Sequence, residues 1–400
     1  MTPRALRSVA LSAAAALVVS GCLDRGPEAL LGNTAPDPLE RQIWTLILAD
    51  NAGKVWIAQT DSAVAVHGES PTPATAALWS VLDSAPDFRD LRLMAQVDGR
   101  QMRWTLMRAG VQIGSGSGAM RAYVGSAGAP RFTGTASLEL DGTPRSVSFD
   151  AIGGLPMPAD PVVQAPRAAT PPVQAIVSLR ADDCPASESQ VLAFLRATRL
   201  TAEFAVPTRL VGRLGRCTWA TVDSLAAAGN TIEAHSRFHE ASPPTFGDFY
   251  LETIGSALDL ASRGHPAHVF VQPGTWLSGP PYLDDPSKLL TPYAALLRRA
   301  FVGVEAYAVP GTSLSYIQSG TGGPPVYYLG SFDEPTLRGF LDDLAAQPRW
   351  ILFFWHTDDQ PLDLLRRLLE IIAEYRDRGA LSVMPLYQAV QAGATGTRLP

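Results

Sequence analysis

Residues 175–183 read Ala-Ile-Val-Ser-Leu-Arg-Ala-Asp-Asp, an apolar strand-length run that ends on two adjacent carboxylates. Working outward from Ala175–Leu179, similar apolar runs recur at Ala202–Val206, Thr231–Ala234, His268–Val271, Phe301–Glu305, Val326–Leu329, Trp350–Phe354 and Leu381–Met384. Amphipathic segments separate them: Glu188–Thr198, Ala220–Ala228, Phe249–Ser262, Lys288–Ala300, Glu334–Ala346 and Leu362–Arg376. The last has Pro361 in a first-turn position, Gly379 beyond its end, and Leu365, Leu368, Leu369, Ile372 and Tyr375 on one face. Strands alternating with helices imply parallel pairing, so the fold class is α/β, and residues 175–400 predict a (β/α) barrel of seven or eight units, distorted or incomplete.

Upstream the pattern changes. Residues 153–174 carry Pro156, Pro158, Pro161, Pro166, Pro171 and Pro172 among Ala and Val without a period, the composition of a semi-rigid linker. Residues 39–152 alternate short β-type runs with turns: Ile43–Leu48, Lys54–Ala58, Leu91–Val97, Met102–Met107, Arg131–Leu140 and Arg145–Ala151, with Asp141-Gly142 as a hairpin signal. The expectation is a small β-rich accessory domain with one helix, Pro73–Leu82, capped by Thr72. His67 stands alone there and reads as structural or solvated. Gly114–Gly118 lacks the Lys-Ser/Thr ending of a phosphate loop and the strand-then-helix setting of a dinucleotide fingerprint, and reads as a flexible hairpin loop.

The first residues read as an address. Arg4 and Arg7 precede an apolar run, Val9–Val19, too short to span a bilayer, and Val19-Ser20-Gly21-Cys22 resembles the lipobox of bacterial lipoproteins. Residues 1–21 are then a signal peptide, Cys22 the lipidated first residue of an exported, membrane-anchored chain, and residues 22–38 a tether. The chain has 400 residues with 46% hydrophobic and 18% charged, enough to bury a sizeable core. A net charge of −6, from 32 Lys+Arg against 38 Asp+Glu, gives no basic field for nucleic acid. For an exported chain, Cys184 and Cys217 form a disulfide by default, worth roughly 3–4 kcal/mol by chain entropy. The alternative is a free Cys184 thiol beside the Asp pair.

Parallel barrels assemble chemistry at the C-terminal ends of their strands. Here those ends carry Asp182-Asp183, His235-Ser236-Arg237-Phe238-His239, Gln272-Pro273-Gly274 and Trp355-His356. One carboxylate and two imidazoles make a facial triad suited to a divalent cation, Zn²⁺ foremost, with positions left for water and substrate. A zincin motif does not fit, because Glu240 follows the second histidine instead of the first. His265 and His268, around a Gly-His-Pro loop, read as structural.

This set resembles the polysaccharide deacetylases, carbohydrate esterase family 4, also called the NodB-homology domain. Asp182-Asp183 is similar to the family's Asp pair, His235-Ser236-x-x-His239 to its His-Ser/Thr-x-x-His motif, and Phe354-Trp355-His356 to its Leu-x-His motif, in the family's order. The resemblance implies that Asp183, His235 and His239 bind the metal, that Asp182 is general base toward metal-bound water, and that His356 is general acid. It also implies an oxyanion site from the metal and a backbone N–H near Gly274 or Thr275. Two family features are missing. Gln272 precedes Pro273 where an arginine usually pairs with the base; Arg180, on the same strand face as Asp182, either replaces it or pairs elsewhere. No Asp-x-x-x-Trp element follows the fifth strand, and Glu305 is the nearest substitute for tuning His356. Trp276 and Trp355 either line a sugar groove or pack in the core.

The implied activity is metal-dependent removal of N-acetyl, or O-acetyl, groups from a cell-envelope or extracellular polysaccharide. The alternative is a degenerate barrel that binds glycan or a protein partner without catalysis. A serine esterase is set aside for want of a Gly-x-Ser-x-Gly elbow with a usable triad.

Overall fold

The computed structural model describes residues 42–64, 73–82, 88–121, 129–140, 142–157, 174–240, 242–274, 291–305, 315–317 and 324–392. The expected signal peptide, Cys22 and tether, together with His67, Thr72 and most of the Pro-rich stretch, lie outside them.

Eight antiparallel strands form the first unit: β1 (Trp44–Asp50), β2 (Val55–Thr60), β3 (Ala74–Ser80), β4 (Phe88–Asp98), β5 (Gln101–Arg108), β6 (Val111–Met120), β7 (Arg131–Leu140) and β8 (Thr143–Gly153). Each pairs with the next and β8 returns to β1, closing a barrel that leaves no strand edge unpaired. Alternation drives it: in β5, Met102, Trp104 and Leu106 are buried while Gln101 and Arg103 face solvent. The lumen is a packed core of Trp44, Trp56, Trp104, Phe132 and Phe149 with aliphatic neighbours. Leu140 of β7 pairs with Thr143 of β8, so the two strands form the expected hairpin, with Gly142 at φ 73°.

Two expectations fail in this unit. The segment read as the helix Pro73–Leu82 is strand β3, hydrogen-bonded to β2 and β4. Its alanine-rich sequence suits a helix locally, and its two apolar faces hide the strand period. Ala76 and Leu78 face the lumen, while Trp79 packs in the core shared with the next unit. Gly114–Gly118 is not a loop either; it lies inside β6. The glycines make room for Trp104: a Cβ on Gly116 would sit 2.8 Å from the indole nitrogen and 2.7 Å from Ala136 Cβ.

The second unit is α/β, and its elements follow the predicted order. Its strands are β9 (Ala175–Asp182), β10 (Glu203–Val206), β11 (Thr231–Ala234), β12 (Val269–Val271), β13 (Gly303–Glu305), β14 (Ser315–Ile317), β15 (Val326–Tyr328), β16 (Trp350–His356) and β17 (Leu381–Val383). Its helices are α1 (Glu188–Thr198), α2 (Trp219–Ala227), α3 (Phe246–Ala261), α4 (Pro292–Ala300), α5 (Glu334–Ala346), α6 (Leu362–Asp377) and α7 (Leu386–Gln391). The sheet runs β14-β13-β12-β11-β10-β9-β16-β15 with β17 on β9, and all neighbours are parallel except β13–β14. The sheet is a mostly parallel half-barrel, consistent with a distorted barrel, and among the described residues β14 and β15 are not paired to each other. β9 meets β17 along its first half and β10 along its second, on the edge opposite β16. Ile176, Ala205, Val271, Trp350 and Leu352 fill the interior together with Leu386, Ala389 and Val390 of α7, which was not foreseen. Glu203 accepts a hydrogen bond from the Leu386 N–H and so caps that short helix.

The two units share one core, in which Ile47, Val55, Ile57 and Trp79 join Phe246, Phe249 and Tyr250 of α3. Tyr250 Oη donates to the Leu155 carbonyl at 2.8 Å. Arg131, 1% exposed, donates to Asp150 at 2.7 Å and pairs with Asp248 at the start of α3. Gly247 lets the strand approach: a Cβ there would fall 2.3 Å from Asp150 Oδ2. Replacing Arg131 with Met strands two carboxylates in a buried interface. The expected loss is about 3–5 kcal/mol of unfolding free energy. Urea denaturation followed by circular dichroism should show one transition for both units in the parent chain; two independent transitions would show that the units do not fold together.

Candidate metal centre

Because β9, β11, β12 and β16 are parallel, their C-terminal ends meet at one rim. Asp182 is the last residue of β9 and stands in register with His356, the last of β16. His235 follows β11 directly, and Gln272 follows β12. The rim therefore gathers the segments whose side chains were singled out.

Ligand atoms of Asp183, His235 and His239 all lie within 4.8 Å of one another. His239 Nε2 is 2.7 Å and His235 Nε2 is 3.3 Å from the same oxygen, Asp183 Oδ1. His235 Nδ1 is 2.8 Å from the Val271 carbonyl. That contact assigns the proton to Nδ1 and leaves Nε2 as a lone-pair donor toward the centre. Among the described residues, neither His235 Nε2 nor Asp183 Oδ1 has a well-directed hydrogen-bond partner, although both are buried. Two imidazole nitrogens and a carboxylate oxygen converging in this way fit Zn²⁺ or a similar divalent ion. The Asp183 and His239 side chains keep 24% and 28% of their exposure, so the cluster opens to solvent on one side. Burial acts to raise the Asp183 carboxyl, but the two imidazoles outweigh it and hold the group well below the usual carboxylate range.

The backbone around these ligands is unusual. Of the six non-glycine residues with positive φ among the described residues, four are here: Asp183 at 75°, Cys184 at 47°, Ser236 at 59° and His239 at 60°. Such conformations persist only where the surroundings over-determine them, and they gather at functional sites. Helix α3 supplies much of that support. Glu252 Oε2 accepts from the Arg237 and Phe238 N–H groups, both at 2.9 Å. Asp259 takes a two-pronged pair from Arg237, which lies against Gly255, where a Cβ would be 2.8 Å from Arg237 Cδ. On the opposite side Cys184 is bonded to Cys217, the bridge expected by default, so the free-thiol alternative falls away.

Arg180 answers one of the open questions. Its guanidinium donates from Nε and Nη2 to the two oxygens of Asp182, at 2.7 and 3.1 Å, and also pairs with Glu305. The positive charge that Gln272 lacks thus reaches Asp182 from the same strand. Glu305 is accordingly committed to Arg180, and not to His356 as expected. His356 Nδ1 instead faces Asp359 Oδ2 at 3.2 Å, while its Nε2 lies 3.9 Å from Asp183 Oδ2. Trp355 does not line a groove: it is fully buried, with its indole N–H on Thr357 Oγ1. Gln272 is buried and bonds through its N–H to the Glu305 carbonyl. Pro273 and Gly274 follow, with open space beside Gly274, whereas Thr275 and Trp276 lie outside the described residues. His265 is paired with Asp223 at 2.8 Å and His268 stacks on Tyr387, so both are structural.

Several residues around the site carried no sequence signal, namely Asp359, Glu252, Asp259, Arg216 and Glu188. Glu188, the first residue of α1, is fully buried behind the Asp pair and accepts a 2.9 Å hydrogen bond from Thr357, the neighbour of His356. Burial pushes its carboxyl up to about 8, against the Thr357 hydrogen bond, and nearby Asp358, Asp182 and Asp183 add to the rise. The folded chain therefore keeps this proton at pH values where the unfolded chain releases it. Stability is fully present below the ordinary value of 4.5 and declines as pH rises toward about 8. Glu188→Gln should remove that decline, making the metal-free variant more stable than the parent by about 1–3 kcal/mol at the alkaline end. Melting temperature against pH in a chelator checks it, and parallel curves would refute it.

No family model matches the sequence, and no curated protein matches it. Solved structures do. The family 4 carbohydrate esterase from Streptomyces lividans in complex with acetate is 15% identical with a TM-score of 0.37, covering 58% of this chain and 100% of its own. The catalytic domain of the peptidoglycan N-acetylglucosamine deacetylase from Eubacterium rectale is 14% identical with a TM-score of 0.39, covering 58% and 96%. A family 4 pseudoenzyme is also similar, at 14% identity and a TM-score of 0.37 over 57% and 72%. The first and third of these are described as members of carbohydrate esterase family 4.

Proposed function

We propose that the chain is a metal-dependent hydrolase that removes acetyl groups from an amide, or less readily an ester, of a polysaccharide. The observation that carries this reading is the convergence of Asp183, His235 and His239 on one solvent-facing point, with Asp182 and His356 in register beside it.

A divalent ion held by Asp183, His235 and His239, Zn²⁺ by its donor set, would supply Lewis acidity to water and to the scissile acyl group. Asp182 takes the water proton, on a carboxylate whose orientation Arg180 fixes by two hydrogen bonds. His356 Nε2 delivers a proton to the departing amine nitrogen, while Asp359 holds the other ring nitrogen, Nδ1. The Gly274 N–H, just past the end of β12, would receive the acyl oxygen. With residues 1–21 as a leader and Cys22 as the site of a lipid anchor, this activity would act outside the cytoplasm, with an envelope or extracellular glycan as its substrate.

A second reading, a barrel that binds glycan or a protein partner without turnover, draws on Gln272 standing where the family pattern has arginine. Arg180 weakens it by bringing the missing charge to Asp182.

The purified chain loaded with Zn²⁺ should release acetate from N-acetylated oligosaccharides. Asp182→Asn should keep the metal and lose roughly 10²–10⁴-fold in kcat. His235→Ala should lose the metal, measured by elemental analysis. Full zinc occupancy with no acetate released from either amide or ester substrates would establish the binding-only reading instead.

A further inference from the structure

Resting on the reading that the Asp183, His235 and His239 cluster holds a divalent ion, we propose that the Cys184–Cys217 disulfide is a strap that positions Asp183. Each histidine ligand has its own support: His235 bonds to the Val271 carbonyl, and the His239 loop hangs on Glu252. Among the described residues the Asp183 carboxylate has no comparable support. Beyond the imidazoles, the charged side chains that face it among the described residues are Arg216, at 3.9 Å, and His356, at 3.9 Å. Its aim is therefore set by its backbone, and that backbone is left-handed at both Asp183 and the following Cys184. Two successive non-glycine residues in that region are unfavourable and do not hold themselves there.

The strap holds them. Cys184 and Cys217 are each 2% exposed, and their backbones are joined as well, Cys217 N–H donating to the Cys184 carbonyl at 2.8 Å. Ala186 N–H donates to the Gly215 carbonyl at 3.1 Å, and Pro185 bridges Arg216. Arg216 Nη1 donates to the Asp183 carbonyl oxygen at 2.8 Å, fixing the peptide that precedes Cys184. The far end of the strap is immobile because Thr218, next to Cys217, caps α2, whose Val222 and Leu225 are fully buried. Core helix, disulfide and metal ligand thus form one mechanical line. Cys184 and Cys217 act through Asp183 and touch neither metal nor substrate, which makes them positioning residues.

Glycine separates a conformational role from simple stabilisation, because it adopts positive φ without penalty. Zn²⁺ affinity, measured by competition with a chromophoric chelator, should fall about tenfold or more in Cys184→Ala/Cys217→Ala, as when an orienting contact of a ligand is lost. Cys184→Gly/Cys217→Ser should return to within about threefold of the parent. An alanine variant that is folded by near-ultraviolet circular dichroism and binds like the parent would overturn the proposal. So would a glycine variant as weak as the alanine one. If the variants do not fold, the parent with and without a phosphine reductant gives the same comparison at low temperature, and equal affinities would overturn it. By linkage, bound Zn²⁺ must make the disulfide harder to reduce by the same factor, a dependence that a purely stabilising bridge lacks. His235→Ala is the control: a parent that binds no more Zn²⁺ than this variant defeats the metal reading itself, whereas a zinc-binding parent matched by the alanine variant defeats only the strap.

Discussion

Two imidazole nitrogens within 3.3 Å of one carboxylate oxygen impose the constraint around which the second unit is arranged. Lone pairs brought that close repel unless a cation sits among them or a proton is shared, and the chain accepts an uncommon backbone to bring them together. Positive φ at Asp183, Cys184, Ser236 and His239 is tolerated because neighbours on two sides over-determine those positions. Glu252 and Asp259 of α3 grip one ligand loop, and a disulfide grips the other. The polar groups used for this purpose lie in the interior, where a hydrogen-bonded carboxylate holds geometry better than a solvated one.

A second consequence concerns charge. Asp182, Glu305 and Arg180 are all buried at the barrel mouth, and one arginine serves both carboxylates. Removing its charge would leave two acids in a low-dielectric pocket, so the arginine has to come from somewhere once Gln272 occupies the position after β12. It comes from β9 itself, two residues before Asp182 and on the same strand face. The antiparallel barrel is bound into this arrangement rather than appended to it, since α3 carries Glu252 and Asp259 toward the loop of His235 and His239, and Asp248 and Tyr250 toward Arg131 and Leu155. One helix therefore couples the accessory unit to the ligand loop.

Much of the second unit was legible in the chain. Apolar runs between amphipathic helices specify parallel strands, and helices such as Glu188–Thr198 and Glu334–Ala346 fall on the expected residues because their faces follow a 3.6 period with a cap or a stop at the ends. The first unit was harder. In β3 both faces are apolar, one for the lumen and one for Trp79 against the neighbouring core, so the period of two disappears and alanine composition points the wrong way. In β6 the glycines that signal a loop exist to admit the Trp104 ring, a demand made by another strand.

The sequence alone determined the parallel α/β class, the separate β-rich part, and the residue types that meet at the rim, because periodicity and ligand chemistry are local properties. Only the tertiary structure decided which charges pair. Arg180 serving Asp182 and Glu305, Asp359 rather than Glu305 facing His356, Trp355 lost to the core, and the strap beside Asp183 all depend on contacts across the fold. The physical reason is that a side chain's partner is set by distance in space, and burial makes those few ångströms decisive.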